Sequence, residues 1–260
     1  MPSAQTSSAQ TQPPRETIVR IDARGLAYRA LNAQLDQAFA DGATAARLEN
    51  VHGQRYIGTN LQRQVRIDIH GVPGNDLGAF MDGPEIYVHN DAQDGCGNTM
   101  NSGLLAIHGS AGDIVGHSMR GGAVFVRDDV GYRVGIHMKA YENVRPIVVI
   151  GGTAQHFLGE YMAGGVLLVL GRCLPNEAVH PARYVGTGMH GGAIYLRGRP
   201  NEAFLGKEVG LAPLTSDDRA LIEELVSRFN QLFELRVSAN DLYTKLIPRT
   251  KRPYGQIYAY

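Results

Sequence analysis

Residues 77–138 read LGAFMDGPEIYVHNDAQDGCGNTMNSGLLAIHGSAGDIVGHSMRGGAVFVRDDVGYRVGIHM, and the stretch repeats itself. Gly78, Gly97, Gly116 and Gly135 stand 19 residues apart, and Met81, Met100, Met119 and Met138 each follow by three. The pairing continues at Gly159/Met162 and Gly186/Met189, and an earlier copy is centred on Gly58 with Leu61 in the methionine place. A second glycine comes five or six residues after the first, as at Gly83, Gly103, Gly121, Gly164 and Gly191. Each copy then carries two apolar residues spaced by two: Ile67/Ile69, Ile86/Val88, Leu105/Ile107, Val124/Val126, Val148/Ile150, Leu167/Val169 and Ile194/Leu196. Such alternation predicts a short strand with one face buried. The residue before each marker glycine is apolar too: Ile57, Leu77, Cys96, Val115, Val134, Leu158 and Val185.

A period near 20 is too short for a pair of helices and suits one coil of a β-helix. The expected fold is therefore mainly β: a parallel, single-stranded solenoid of about seven glycine-rich coils. At ~4.8 Å per coil it would span roughly 33 Å. The 32 glycines of the chain are explained by one demanding corner used many times.

Composition narrows the function classes. The 25 basic residues balance the 25 acidic ones, and no concentrated Lys/Arg surface for nucleic acid is expected. The two cysteines, Cys96 and Cys173, suit a reducing compartment. No apolar run reaches the ~20 residues of a membrane span. The segment MPSAQTSSAQTQPPR (1–15) has no apolar core of a signal peptide and is read as a disordered tail. The cytoplasm is the expected location.

Residues 16–48 are expected to cap the solenoid with a strand (Glu16–Asp22) and a helix (Leu26–Ala40). Leu31, Leu35, Ala38 and Phe39 share one face of that helix, and Asp41-Gly42 stops it. The β-helix proper is placed at 49–199, and 200–260 holds a second helix and an extended tail ending PYGQIYAY. Ser216 is the expected N-cap of this helix. Asp217 and Asp218 follow, and Leu221, Ile222, Leu225, Val226, Phe229, Leu232 and Phe233 form its apolar stripe.

The glycine repeat, with VHGQRYIGTNL (51–61), GEYMAGGVLLVLG (159–171) and YVGTGMHGGAIYLRG (184–198), resembles the GXGXG domain at the C-terminal end of the glutamate synthase large subunit. It looks most like the free-standing version of that domain. It is also similar to the GXGXG-bearing subunit of formylmethanofuran dehydrogenase and its formyltransferase/hydrolase relatives. The likeness covers roughly residues 20–200. It implies a right-handed β-helix without catalytic residues, bracing a glutamine amidotransferase against a synthase that carries FMN and an iron–sulfur cluster. No cysteine follows Met1, and no cysteine cluster or barrel-sized region is present for those cofactors. They are therefore expected on partner chains. Three functions stay open: a scaffold in a split glutamate synthase, the equivalent subunit of a formyl-transfer complex, or a self-associating binding protein.

The reactive residues read as structural, so no catalytic, cofactor or metal residue is assigned. Gly116-His117-Ser118-Met119 mimics a nucleophile elbow, yet Arg120 stands where the elbow needs a small residue, and Gly116 and Met119 are repeat positions. His70, His89 and His108 occupy matching places on three coils and should stack, with Arg127 continuing the row. Shared metal binding there is opposed by that cation. Cys96 is a core thiol, and His117, Glu160 and Thr187 share a solvent corner. Two insertions, KAYENVRP (139–146) and RCLPNEAVHPA (172–182), break the period and are the best candidates for partner contact, with simple tolerated loops as the alternative. The outward residues between the strand pairs include Tyr87, Phe125, Val149, Leu168 and Tyr195. They need a cover, expected to be the second helix in part and a partner for the rest.

Overall fold

The structure, a computed structural model, describes residues 17–175 and 178–249. The segments read as tails at 1–15 and 253–260 lie outside the described residues, as do 176 and 177. The nine strands β1 (Ile18–Asp22), β2 (Ala45–His52), β3 (Arg66–Val72), β4 (Glu85–Val88), β5 (Leu104–Ile107), β6 (Ala123–Val126), β7 (Ile147–Ile150), β8 (Ala163–Val169) and β9 (Gly191–Arg197) stack in chain order as one parallel ladder. The antiparallel β11 (Tyr243–Pro248) and β10 (Val209–Ala212) close its far end. Ile67, Ile86, Leu105, Val124, Val148, Leu167 and Ile194 are register partners down the ladder, as the repeat predicts. The seven apolar pairs are the seven rungs β3–β9, which enclose about six turns. Rung number and turn number differ by one.

The corner between strands is where the glycines act. In each coil the residues two before the marker glycine, at it, and two after it all have left-handed backbone, as in Gly95, Gly97 and Thr99 (φ 72°, 71° and 53°). This alternation aims successive N–H groups at opposite neighbouring coils. Gly97 N donates back to Leu77 O (2.9 Å), while Gly95 N and Thr99 N donate forward to Asp113 O (2.9 Å) and His117 O (2.7 Å). Corner and strand together pair the backbone of consecutive coils, as buried or half-buried polar groups require. The middle position admits only glycine because its missing Cβ would point inward. A Cβ on Gly116 would lie 2.9 Å from Val148 Cγ2, and one on Gly186 2.5 Å from Val209 Cγ1. The outer two positions carry side chains such as Asp76, Arg133, Phe157 and Tyr161 in the same left-handed region.

Two cores result. The lumen is filled by the strand residues, the residues before the marker glycines and the six methionines Met81 to Met189, all buried. Helix α1 (Tyr28–Ala40) plugs one end of it with Leu31, Leu35 and Phe39. It is tied down by Asn32 Nδ2 donating to Arg55 O (2.9 Å) and Arg63 Nη1 donating to Phe39 O (2.6 Å). Helix α2 (Ser216–Phe233) lies instead across the outer face of the sheet. Its Ile222, Leu225, Val226, Phe229 and Phe233 bury Ala106, Phe125, Val149, Leu168 and Tyr195. Burial at ~25 cal/mol per Å2 makes this second core a principal reason for the helix to form.

Two expectations are corrected. The N-cap of α2 is Thr215, not Ser216: Thr215 Oγ1 accepts from Asp218 N (3.2 Å) and Asp218 Oδ2 from Thr215 N (2.8 Å), a reciprocal box that Ser216 is one residue too late to make. The outward apolar stripe also needs less cover than expected. It ends at the half-buried Tyr87, and the outward places before it on the ladder are Asp68, Arg47 and Arg20. Asp218 fixes the helix to the sheet by accepting from Tyr195 Oη (2.5 Å) and Lys245 Nζ (2.7 Å). Burial opposes its charge, but these bonds and those from Thr215 hold its carboxyl far below the usual range.

The corner rule is testable by two neighbouring changes. Gly116→Ala adds a left-handed penalty to an inward clash and should lower stability by about 2–3 kcal/mol. Ser118→Gly, two residues on, relieves a left-handed side chain and should change stability by no more than about 0.5 kcal/mol. Thermal unfolding of the two variants against the parent checks the difference.

Candidate functional site

The histidine ladder forms as the register dictates. His70 and His89 stack at 4.4 Å with an 11° interplanar angle, His89 and His108 follow at 5.2 Å, and His108 ends edge-on against Phe233 at 4.9 Å. His89 Nε2 lies 3.1 Å from Asp68 Oδ1, and the same carboxylate takes Arg66 at 2.6 Å. Burial and the adjoining imidazole of His89 hold His70 and His108 below the ordinary histidine range, which favours their uncharged forms. In the stacked His70–His89 pair the in-plane nitrogen lone pairs run side by side and do not converge as metal ligands must, while His108 is tilted 34° from His89. Arg127 continues the row but turns to Asp128 at 2.7 Å.

The other reactive residues are absorbed by the coil pattern. Cys96 is fully buried, its Sγ donates to Gln93 O (3.2 Å), and burial pushes its thiol up to about 12. Ser118 has the left-handed backbone of a nucleophile elbow (φ 53°), but so have Asn60, Phe80, Thr99, His137 and Tyr161 at the same place in other coils. Glu160 pairs with Arg133 at 2.9 Å, and Thr187 Oγ1 donates to its own coil at Tyr184 O (3.0 Å).

Two surface rows were missed by the reading of the sequence. Two residues before the marker glycine, Arg133, Phe157 and Tyr184 stack along the solenoid axis, with guanidinium over ring at 4.8 Å and ring on ring at 4.9 Å. Two residues after it, His137 and Tyr161 stack at 5.4 Å. The signal was available: these residues recur at fixed offsets of −2 and +2 from Gly135, Gly159 and Gly186. Bulky left-handed residues are uncommon and cost about 1–2 kcal/mol each, so the rows are a feature to be explained.

The two insertions differ in kind. Residues 139–146 form a small hairpin in which Tyr141 and Val144 exchange backbone bonds (3.1 and 2.9 Å) and both side chains stand in solvent. The 172–182 insertion turns back into the lumen. Arg172 pairs with Asp128, and His180 and Ala182 are buried. Ala154 N and Ala182 N approach the two ring nitrogens of His180 at 3.2 Å each. A neutral imidazole accepts at one nitrogen only, so one contact is a hydrogen bond and the other an approach. Burial depresses His180 to about 4.

Known proteins share this architecture. The profile of the GXGXG motif family matches residues 28–249. The chain is 46% identical over 250 residues to Uncharacterized protein MJ1350 of Methanocaldococcus jannaschii, covering 92% of this chain and 96% of that protein. A solved chain from the formyltransferase/hydrolase complex (FhcABCD) of Methylorubrum extorquens, in complex with methylofuran, superposes with a TM-score of 0.57 at 18% identity. The superposition covers 86% of this chain and 89% of that one.

Two outcomes follow from these placements. In the native protein a thiol reagent should modify Cys173, which is exposed, and leave Cys96 untouched until denaturant is added; mass spectrometry counts the adducts. For His180, the unfolded chain binds a proton near pH 6.5 while the folded chain resists it down to about 4. Its stabilising contribution is therefore present above pH 6.5 and lost as pH falls towards 4, by up to about 3 kcal/mol. Unfolding followed across this window should show a shallower loss in His180→Gln than in the parent.

Proposed function

This chain belongs to the GXGXG motif family, and on that footing we propose that it is a non-catalytic structural subunit on which the enzyme chains of a larger complex assemble. One observation carries the reading: its most perturbed titratable groups serve the fold. Asp218 clamps α2, His180 fills the lumen, Cys96 is a core thiol, and Tyr195 donates to Asp218. A catalytic site would have such groups face a common cleft. What the solenoid offers outward is a rigid corner of aromatic and charged side chains and the 139–146 hairpin.

Two finer identities are supported by different findings. The place of the GXGXG-bearing subunit in a formyl-transferring complex draws on the chain-long structural likeness to a component of the formyltransferase/hydrolase complex. A place in a split glutamate synthase, with FMN and an iron–sulfur cluster on partner chains and a glutamine amidotransferase beside them, draws on the GXGXG resemblance itself. The first has the more specific support.

Purification of the tagged chain from its own host, with mass spectrometry of what accompanies it, tests the reading. Recovery of formyl-transfer chains supports the first identity, and recovery of an amidotransferase with a flavin and iron–sulfur chain supports the second. A chain that purifies without enzyme partners and itself turns over glutamine or a formyl donor would contradict the proposal.

A further inference from the structure

The corner rows sort their charges along the solenoid axis. At the places two and three before the marker glycine, the second, third and fourth coils carry Asp76, Asp94 and Asp113. The fifth, sixth and seventh carry Arg133, His156 and Arg183 at the same places, together with Tyr132, Phe157 and Tyr184. One half of this strip is acidic and the other is cationic and aromatic. The change falls between the fourth and fifth coils.

The carboxylates are held in place without being neutralised. Asp94 Oδ1 accepts from Asp113 N (2.9 Å), Asp113 Oδ1 from Tyr132 N (2.8 Å), and Asp76 Oδ1 from Asn98 Nδ2 (3.0 Å). Among the described residues none of the three has a cation at ion-pair distance. The cations are also held in place: Arg133 lies over Phe157 at 4.8 Å and pairs with Glu160 at 2.9 Å, and Arg183 lies over Phe204 at 4.9 Å. Tyr132 and Tyr184 are 42% and 53% exposed. Pre-ordered Tyr and Arg side chains of this kind are what protein interfaces concentrate at their centres.

A strip that is acidic at one end and cationic at the other is complementary to itself reversed. We propose that it docks a second copy of this chain, antiparallel and face to face, about a two-fold axis crossing between the fourth and fifth coils. Counting outward from that axis, Asp113 then meets Arg133 of the other copy, Asp94 meets His156, and Asp76 meets Arg183. Each pairing occurs twice, as two-fold symmetry requires. The six coils from the second to the seventh, at ~4.8 Å each, give a strip roughly 29 Å long, enough for an interface of ordinary size. The docking goes beyond the scaffold reading and does not depend on which enzymes the subunit serves.

The test is a charge exchange on the full chain. By sedimentation velocity the parent should be a dimer whose dissociation constant rises at least tenfold between ~50 mM and ~500 mM salt. D76K/D113K and R133E/R183E, each alone, should be monomeric because like charges now meet across the axis. Mixed, they restore every opposite-charge meeting of these residues and should form a one-to-one dimer, which shows that both are folded. A parent that stays monomeric at low salt overturns the proposal. So does a dimer that both variants keep, or a pair of variants that fail to combine.

Discussion

Everything in this molecule depends on a backbone turn that must place three left-handed residues in five, with no room for a side chain on the middle one. Hydrogen bonding holds the turn in place. Its N–H groups alternate between the preceding and following coils, so the corner is laddered like the strands beside it. A Cβ on the middle residue would enter the lumen packing, as the 2.9 Å approach at Gly116 and the 2.5 Å approach at Gly186 show. The glycine is therefore required by sterics twice over, by its conformation and by the direction of its missing side chain.

From that turn follow both the packing and the division of labour on the surface. Inward places are fixed by volume, which is why methionine and short aliphatic side chains fill the lumen from Met81 to Met189. Outward places at the corner are free to vary, and the chain uses them for stacked aromatics, histidines and sorted charges. The outer sheet face is a third surface, and α2 closes it with a capping box and the Asp218 clamp. Chemistry-bearing residues that fall on inward places become filling. Cys96 and His180 are the clearest cases, both held in neutral form by burial.

The fold was legible because a steric rule repeated seven times leaves a pattern that one instance would not. Strand register, the buried cysteine, the histidine stack and the false nucleophile elbow at Ser118 all came from aligning copies. The cap of α2 was misplaced by one residue because Thr215 and Ser216 are chemically alike, and only the Asp218 carboxylate chooses between them. The rungs β1 and β2 lie before the first marker glycine, so the repeat could not reveal them as rungs, although β1 was expected as a capping strand. Function was the least legible part. The 172–182 insertion looked like a contact loop, yet His180 and Ala182 return to the core, and nothing in a single stretch of sequence tells a loop that leaves from one that re-enters. The corner rows were missed because their residue types vary while their backbone does not.

The central claim is that the glycine corners are structural rungs, laddered as firmly as the strands. Native-state hydrogen exchange of the corner amides tests it most directly. The account predicts that Gly97, Thr99, Gly116 and Ser118 exchange as slowly as the strand amides of β4 to β6, and far more slowly than exposed amides of the 139–146 hairpin. Corner amides that exchange at the hairpin's rate while the strands stay protected would contradict it.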